Sequence, residues 1–142
     1  MYNLSTMYIQ SRVYKYNSSK KEVSDKITRL GDHSTLIGQW INDTTFCLKK
    51  KPFGLFTLFG TTDEIESNHK LKVAIKAGYW YPLLYILPVA TIIYGAFQFS
   101  KDEEKGWLVV LGGVFLFGFI FLIASALIEG LKKSFKEEFQ II

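Results

Sequence analysis

WLVVLGGVFLFGFIFLIASALI, residues 107–128, decides the architecture. It is a run of 22 residues without a charge. At about 1.5 Å rise per residue a helix of that length covers about 33 Å, against roughly 30 Å for the hydrocarbon core of a bilayer, so it can span one. Upstream lies SKDEEKG, residues 100–106, and before it a second uncharged run of equal length, Gly78 to Phe99. This first run carries Pro82, near its start, where a missing N–H is harmless, and Pro88, which predicts a kink. A seven-residue connection makes the two helices antiparallel neighbours, a two-helix transmembrane hairpin over 78–128 with helices 78–99 and 107–128 and loop 100–106.

Charge sets the expected topology. Lys70, Lys72 and Lys76 precede the first helix and Lys132, Lys133 and Lys136 follow the second, against Lys101 and Lys105 in the loop. Cytoplasmic flanks are enriched in Lys and Arg, so both termini are expected in the cytoplasm of an inner (plasma) membrane. Tyr79, Trp80 and Tyr81 at the start of the first helix and Trp107 at the start of the second are the expected membrane-interface anchors. The first 30 residues hold no continuous apolar stretch of the signal-peptide kind. The single cysteine, Cys47, cannot form an internal disulfide.

Residues 1–77 carry 12 of the 17 Lys and Arg and read as a small cytosolic α+β domain. MYIQSRVYKY, residues 7–16, is β-branched and aromatic and predicts a strand. In residues 18–31, Ser19 with Glu22 fits a capping box, Val23, Ile27 and Leu30 share one helical face, and Gly31 supplies a stop. LIGQWI and TTFCLK flank Asn42-Asp43. A two-residue turn there would set Ile41 against Thr44, Gln39 against Phe46 and Ile37 against Leu48, leaving Gly38, Trp40 and Cys47 on the other face. LFTLFG, apolar on both faces, predicts a central strand, and KLKVAIKAG alternates cleanly, with Leu71, Val73, Ile75 and Ala77 opposed to Lys70, Lys72, Ala74 and Lys76. The expected fold is thus an α+β membrane protein. A small, mostly antiparallel sheet with one helix, in the order β-α-β-β-β-β, precedes the transmembrane hairpin and an amphipathic C-terminal helix over 129–142.

Enzyme chemistry finds little support. His33 and His69 sit in predicted turns without companions, no phosphate-cradling or zinc motif occurs, and carboxylate pairs such as Asp63 and Glu64 fall in polar turns. No Asp, Glu, Lys, Arg or His lies inside either apolar run, which disfavours a channel or proton relay. No catalytic residue, metal site or cofactor is therefore expected. Two features suggest contacts instead. Lys49, Lys50 and Lys51 with Phe53 form a basic turn suited to anionic lipid or a partner. In the tail EGLKKSFKEEFQII, Leu131, Phe135 and Phe139 continue a helical stripe from Ile128 that can lie on the membrane interface, pack back on the domain or bind a partner.

Taken together, the GQWINDTTFCLKKK hairpin, the KLKVAIKAG strand leading into the membrane and the EGLKKSFKEEF tail give the chain a pattern. It resembles that of uncharacterised small bacterial membrane proteins with a cytosolic β-rich domain followed by a two-helix transmembrane hairpin. The resemblance implies an architecture and no activity. The expected function is that of a non-enzymatic accessory or regulatory membrane protein whose cytosolic domain binds a protein partner or the membrane surface. The expected partners are the lipid bilayer and a protein or larger membrane complex, with no nucleic acid. The alternative is an immunity protein against a membrane-acting toxin, which a neighbouring toxin gene and rescue on co-expression would identify.

Overall fold

The computed structural model describes residues 7–30, 34–51, 55–63, 65, 69–78 and 80–141. The chain divides into two compact units, Met1–Gly78 with Ile128–Ile142, and Tyr79–Leu127. The first is α+β. Its elements are β1 (Met7–Lys15), α1 (Lys20–Arg29), β2 (Leu36–Trp40), β3 (Thr45–Lys50), β4 (Phe56–Thr61) and β5 (Lys70–Ala77). The strands form one antiparallel sheet in the order β1-β5-β4-β3-β2, so the doubly apolar β4 is its central strand. β1 is an edge, and the shift in pairing between Tyr8 and Gln10 is a bulge of the kind that discourages edge-to-edge association.

α1 forms because its first turn is capped from both directions. The Glu22 N–H donates to Ser19 Oγ at 3.3 Å and the Ser19 N–H donates to Glu22 Oε2 at 3.2 Å. Val23, Ile27 and Leu30 are buried on its inner side. Gly38 of β2 is what lets the helix lie so close to the sheet: a Cβ there would fall 2.8 Å from Ile27 Cγ2 and 3.0 Å from the Ile27 carbonyl oxygen. Gly60 plays the same part within the sheet. A Cβ on Gly60 would meet the ring of Phe46, its direct partner on β3, at 2.1 to 2.7 Å.

The β2–β3 register differs from the one expected by a single residue. Trp40 pairs with Phe46, Gln39 with Cys47 and Gly38 with Leu48. The cause is the turn. Asn42 Oδ1 accepts the N–H groups of Thr44 at 3.0 Å and Thr45 at 2.7 Å, and the Ile41 N–H reaches the Thr45 carbonyl at 2.9 Å, so the turn holds one more residue than a two-residue hairpin. A slip of one exchanges the faces of a strand relative to its partner. Gly38 and Trp40 therefore share the covered face with Phe46 and Leu48, while Ile37 and Gln39 share the other with Cys47 and Lys49.

The last turns of the C-terminal helix complete this unit. α4 (Glu103–Phe139) contributes residues from Ile128 on to it. Leu131, Phe135 and Phe139 are each no more than 1% exposed. Phe135 meets Tyr14 of β1 at 5.8 Å, and Phe139 stacks parallel to Phe46 of β3 at 6.0 Å and lies 6.1 Å from Tyr16. The covered face thus carries two helical segments, α1 and the tail, where the sequence predicts one helix for the domain. Their apolar stripes together close a core that an isolated ten-residue helix would leave open.

The second unit is helical. α2 (Trp80–Leu83) and α3 (Ile86–Gln98) are separated at Leu84 and Tyr85, and α4 begins at Glu103. The break lies one turn before Pro88, because a proline ring clashes with the carbonyl four residues earlier and has no N–H to bond it. Two stretches, Tyr81–Gln98 and Glu103–Phe139, are long and apolar enough to cross a membrane by length and composition. Within this unit α3 and α4 meet at glycines. A Cβ on Gly95 would lie 2.8 Å from Val110, and one on Gly113 would lie 2.6 Å from Ile92 Cγ1 and 3.2 Å from the Pro88 carbonyl oxygen. Tyr85 meets Phe117 at 5.0 Å and Phe99 meets Trp107 at 5.1 Å, so the two helices run antiparallel along these contacts. Gly112 and Gly118 face open space, and Leu87, Phe97 and Phe115 are each about two-thirds exposed or more.

Candidate functional site

The face of the sheet opposite the one that α1 and the tail pack on presents the exposed residues Val13, Lys15, Ile37, Lys49, Lys70 and Lys72. β5 supplies it with Lys70, Lys72, Ala74 and Lys76, since alternate residues of a strand point the same way. Pairing then brings neighbours to each position. Lys70 lies directly opposite Lys15 of β1, Lys72 between Val13 and Thr61, and Ala74 between Ser11 and Phe59. One strand further, Thr57 separates Lys76 from Lys49, which in turn pairs with Ile37 of β2. Five lysines, Lys15, Lys49, Lys70, Lys72 and Lys76, share this face, and none of the five strands contains an Asp or a Glu.

Two details mark the face as electrostatically one-sided. Like charges directly across a strand pair are unfavourable, yet Lys15 and Lys70 hold that position. The Lys76 ammonium lies 4.5 Å from the ring centre of Phe59, so the aromatic surface on this face already carries a cation. Val13 and Ile37 expose about half their surface between the lysine stems, at 54% and 47%. Cys47 is buried at the level of Gln39 and Phe59, its strand neighbours.

The lysine run at the end of β3 is divided by strand alternation. Lys49 is exposed on the open face. Lys50 turns the other way, is half-buried, and donates from Nζ to the Gly130 carbonyl of the tail at 3.2 Å. Lys51 is exposed where its N–H bonds the Thr35 carbonyl at 2.8 Å. Phe53 lies outside the described residues. Leu131, Phe135 and Phe139 are core residues of the sheet unit, and the tail is further tied by Ser34 Oγ donating to Glu138 at 2.6 Å. Lys26 of α1 lies 5.8 Å from the Phe139 ring centre and Lys136 lies 6.0 Å from that of Tyr14.

Of the aromatic anchors, Tyr79 lies outside the described residues, and the side chain of Trp80 does too. The Tyr81 hydroxyl is 3.1 Å from that of Tyr85, and Trp107 is half exposed with its ring edge-on to Phe99. Among the described residues outside 78–99 and 107–128, two carboxylates are held below the usual range. Asp102 is lowered chiefly by its bond to the Lys105 side chain, 2.7 Å away, and then by the Lys105 backbone N–H that it caps. Glu129 is lowered chiefly by its bond to Lys132, also 2.7 Å away.

Among the described residues, no three His, Cys, Asp or Glu side chains converge where a metal ion could be held. A surface hollow of the sheet unit, about 640 Å³, is lined by Lys20, Ser24, Trp40, Ile41, Asn42 and Asp43. Among the described residues no hydrogen bond joins its Ser24 hydroxyl to Lys20 or Asp43, and its Asn42 oxygen is already engaged by the turn. The basic face escapes a linear reading because its members come from β1, β3 and β5, and only the strand order sets Lys15 beside Lys70. The alternation of KLKVAIK discloses its middle. No protein-family model matches the chain, and neither a curated protein nor a solved structure matches it.

Proposed function

We propose that the chain is a non-enzymatic, two-pass protein of the inner (plasma) membrane with both termini cytoplasmic. Helices 78–99 and 107–128 form its transmembrane hairpin. Its sheet unit acts as an accessory or regulatory module that binds a protein partner or the membrane surface. The observation that carries this reading is the row of exposed lysines on one face of a sheet whose β5 ends at Ala77, with α2 starting at Trp80. A basic surface that close along the chain to an apolar span works at a membrane boundary. The antiparallel packing of α3 on α4 at Gly95 and Gly113 supports a hairpin, and their outward Leu and Phe side chains suit lipid.

Cysteine accessibility tests the topology. In a Cys47→Ala background, Ser100→Cys should react with an impermeant maleimide in intact spheroplasts, and Gln140→Cys only after permeabilisation. Labelling of Gln140→Cys from outside, or release of the chain by alkali, would refute the two-pass reading. Purification in mild detergent tests the accessory role: a monomer recovered alone would remove the protein-partner half of the proposal.

A further inference from the structure

We infer that the open face of the sheet seats anionic phospholipid headgroups, with the exposed Lys15, Lys49 and Lys70 each meeting a phosphate-bearing lipid. This deepens the proposed function and rests on its two-pass reading. The sign of the face selects the sign of the occupant: Lys15, Lys49 and Lys70 are exposed, and no strand carries an Asp or a Glu beside them. The spacing fixes its form. Residues two apart on a strand lie about 7 Å apart and neighbouring strands about 4.8 Å apart, so Lys70 and Lys72 stand about 7 Å apart and Lys49 about 10 Å across the sheet from Lys76. Lysines dispersed on a flat grid do not converge on one small anion. They match a two-dimensional array of single charges.

The residues between the lysines fit the same occupant. Val13, Ile37 and Ala74 give an apolar floor along which lysine stems lie while their ammonium groups reach outward, as they do at membrane interfaces. Single-stranded nucleic acid would need free aromatic platforms, and Lys76 already covers Phe59. An acidic protein segment shares the charge but has to be recruited from solution. The lipid surface is supplied by the chain itself, since two residues separate β5 from α2. Tethering of that kind makes weak individual contacts sufficient.

The test uses the full chain in nanodiscs of phosphatidylcholine alone and of phosphatidylcholine with phosphatidylserine, read by acetylation of each lysine and mass spectrometry. In the anionic discs Lys15, Lys49 and Lys70 should lose reactivity about fivefold, the factor corresponding to about 1 kcal/mol per lysine at an anionic surface. High salt should restore it, because screening at about 1 M shortens the Debye length to roughly 3 Å. Lys21, exposed on α1, should not change. In the triple variant Lys49→Ser, Lys70→Ser, Lys72→Ser, Lys15 should stay fully reactive in both discs. Equal reactivity of the face in both discs, with the chain inserted, would overturn this inference and leave the two-pass reading standing. Protection appearing only on addition of an acidic protein would overturn it likewise. A chain that does not insert would overturn both.

Discussion

Replacing Phe139 by alanine should open the sheet unit, although the residue lies more than sixty positions beyond the last strand. The ring is 1% exposed, with three other ring centres near its own, Phe135 at 4.8 Å, Phe46 at 6.0 Å and Tyr16 at 6.1 Å, and the Lys26 ammonium at 5.8 Å. Burial of a phenylalanine lost to alanine costs about 3–5 kcal/mol, the upper part applying where the surroundings cannot collapse. Here the partners come from α1, β3 and the end of β1, which are fixed by separate hydrogen bonds, so about 4 kcal/mol is expected. At about 1.4 kcal/mol per factor of ten, amides of β3 and β4 that exchange through opening of the unit should exchange roughly a thousandfold faster. Hydrogen exchange with mass spectrometry on the full chain in mild detergent measures this directly. Phe139→Leu, which keeps most of the apolar volume, should cost under about 1.5 kcal/mol. Unchanged exchange of β3 and β4 in Phe139→Ala would refute the assignment of the tail to the core and favour a helix lying on lipid.

The remaining predictions probe other contacts. Gly60→Ala should force the Phe46 ring out of its stack at a cost of about 1–3 kcal/mol, seen as faster exchange in the same peptides. Gly113→Leu should disrupt packing of α3 on α4 and raise protease sensitivity of the 100–106 loop, whereas Gly112→Leu, which faces open space, should not. Lys50→Met should lower stability by about 1.5–3 kcal/mol by removing the charge-assisted bond to the Gly130 carbonyl while keeping the stem. Asp102 has a folded pKa below its ordinary value of 3.8, so its contribution to the start of α4 is complete above that value and lost as pH falls through the lowered one. Asp102→Asn should abolish this acid-dependent fraying, read as amide exchange at Lys105 across an acid titration.

Local signals in the sequence carried much of this fold, and their limits are equally local. The Ser19-Glu22 box is readable because both partners lie within one turn of chain, and the Leu71-Val73-Ile75-Ala77 alternation because a strand repeats every two residues. The β2–β3 register is not, because Asn42-Asp43 suits turns of two or three residues and the choice rests on the Asn42 side chain accepting from both Thr44 and Thr45. That one residue moved Trp40 to the covered face. The helix break falls at Leu84 and Tyr85 and not at Pro88 itself, since the clash acts one turn upstream. The lysine face is hardest to read, because Lys15 and Lys70 are neighbours only through a sheet order that skips from β1 to β5. KKK at 49–51 is conspicuous in the sequence, yet alternation assigns Lys50 to the tail and only Lys49 to the open face.

The burial of Phe135 and Phe139 against strands made at the beginning of the chain bears on biosynthesis. All five strands leave the ribosome before either long apolar helix, so Tyr14, Tyr16 and Phe46 wait for Phe135 and Phe139 while those helices are synthesised. During that interval the nascent sheet presents an aggregation-prone apolar surface of the type chaperones hold. Its core closes only when residues 131–139 emerge, so folding of the sheet unit is completed after both apolar helices have been made. A chain that stalls within the apolar segments should retain an unfinished sheet unit and, with it, an exposed apolar surface.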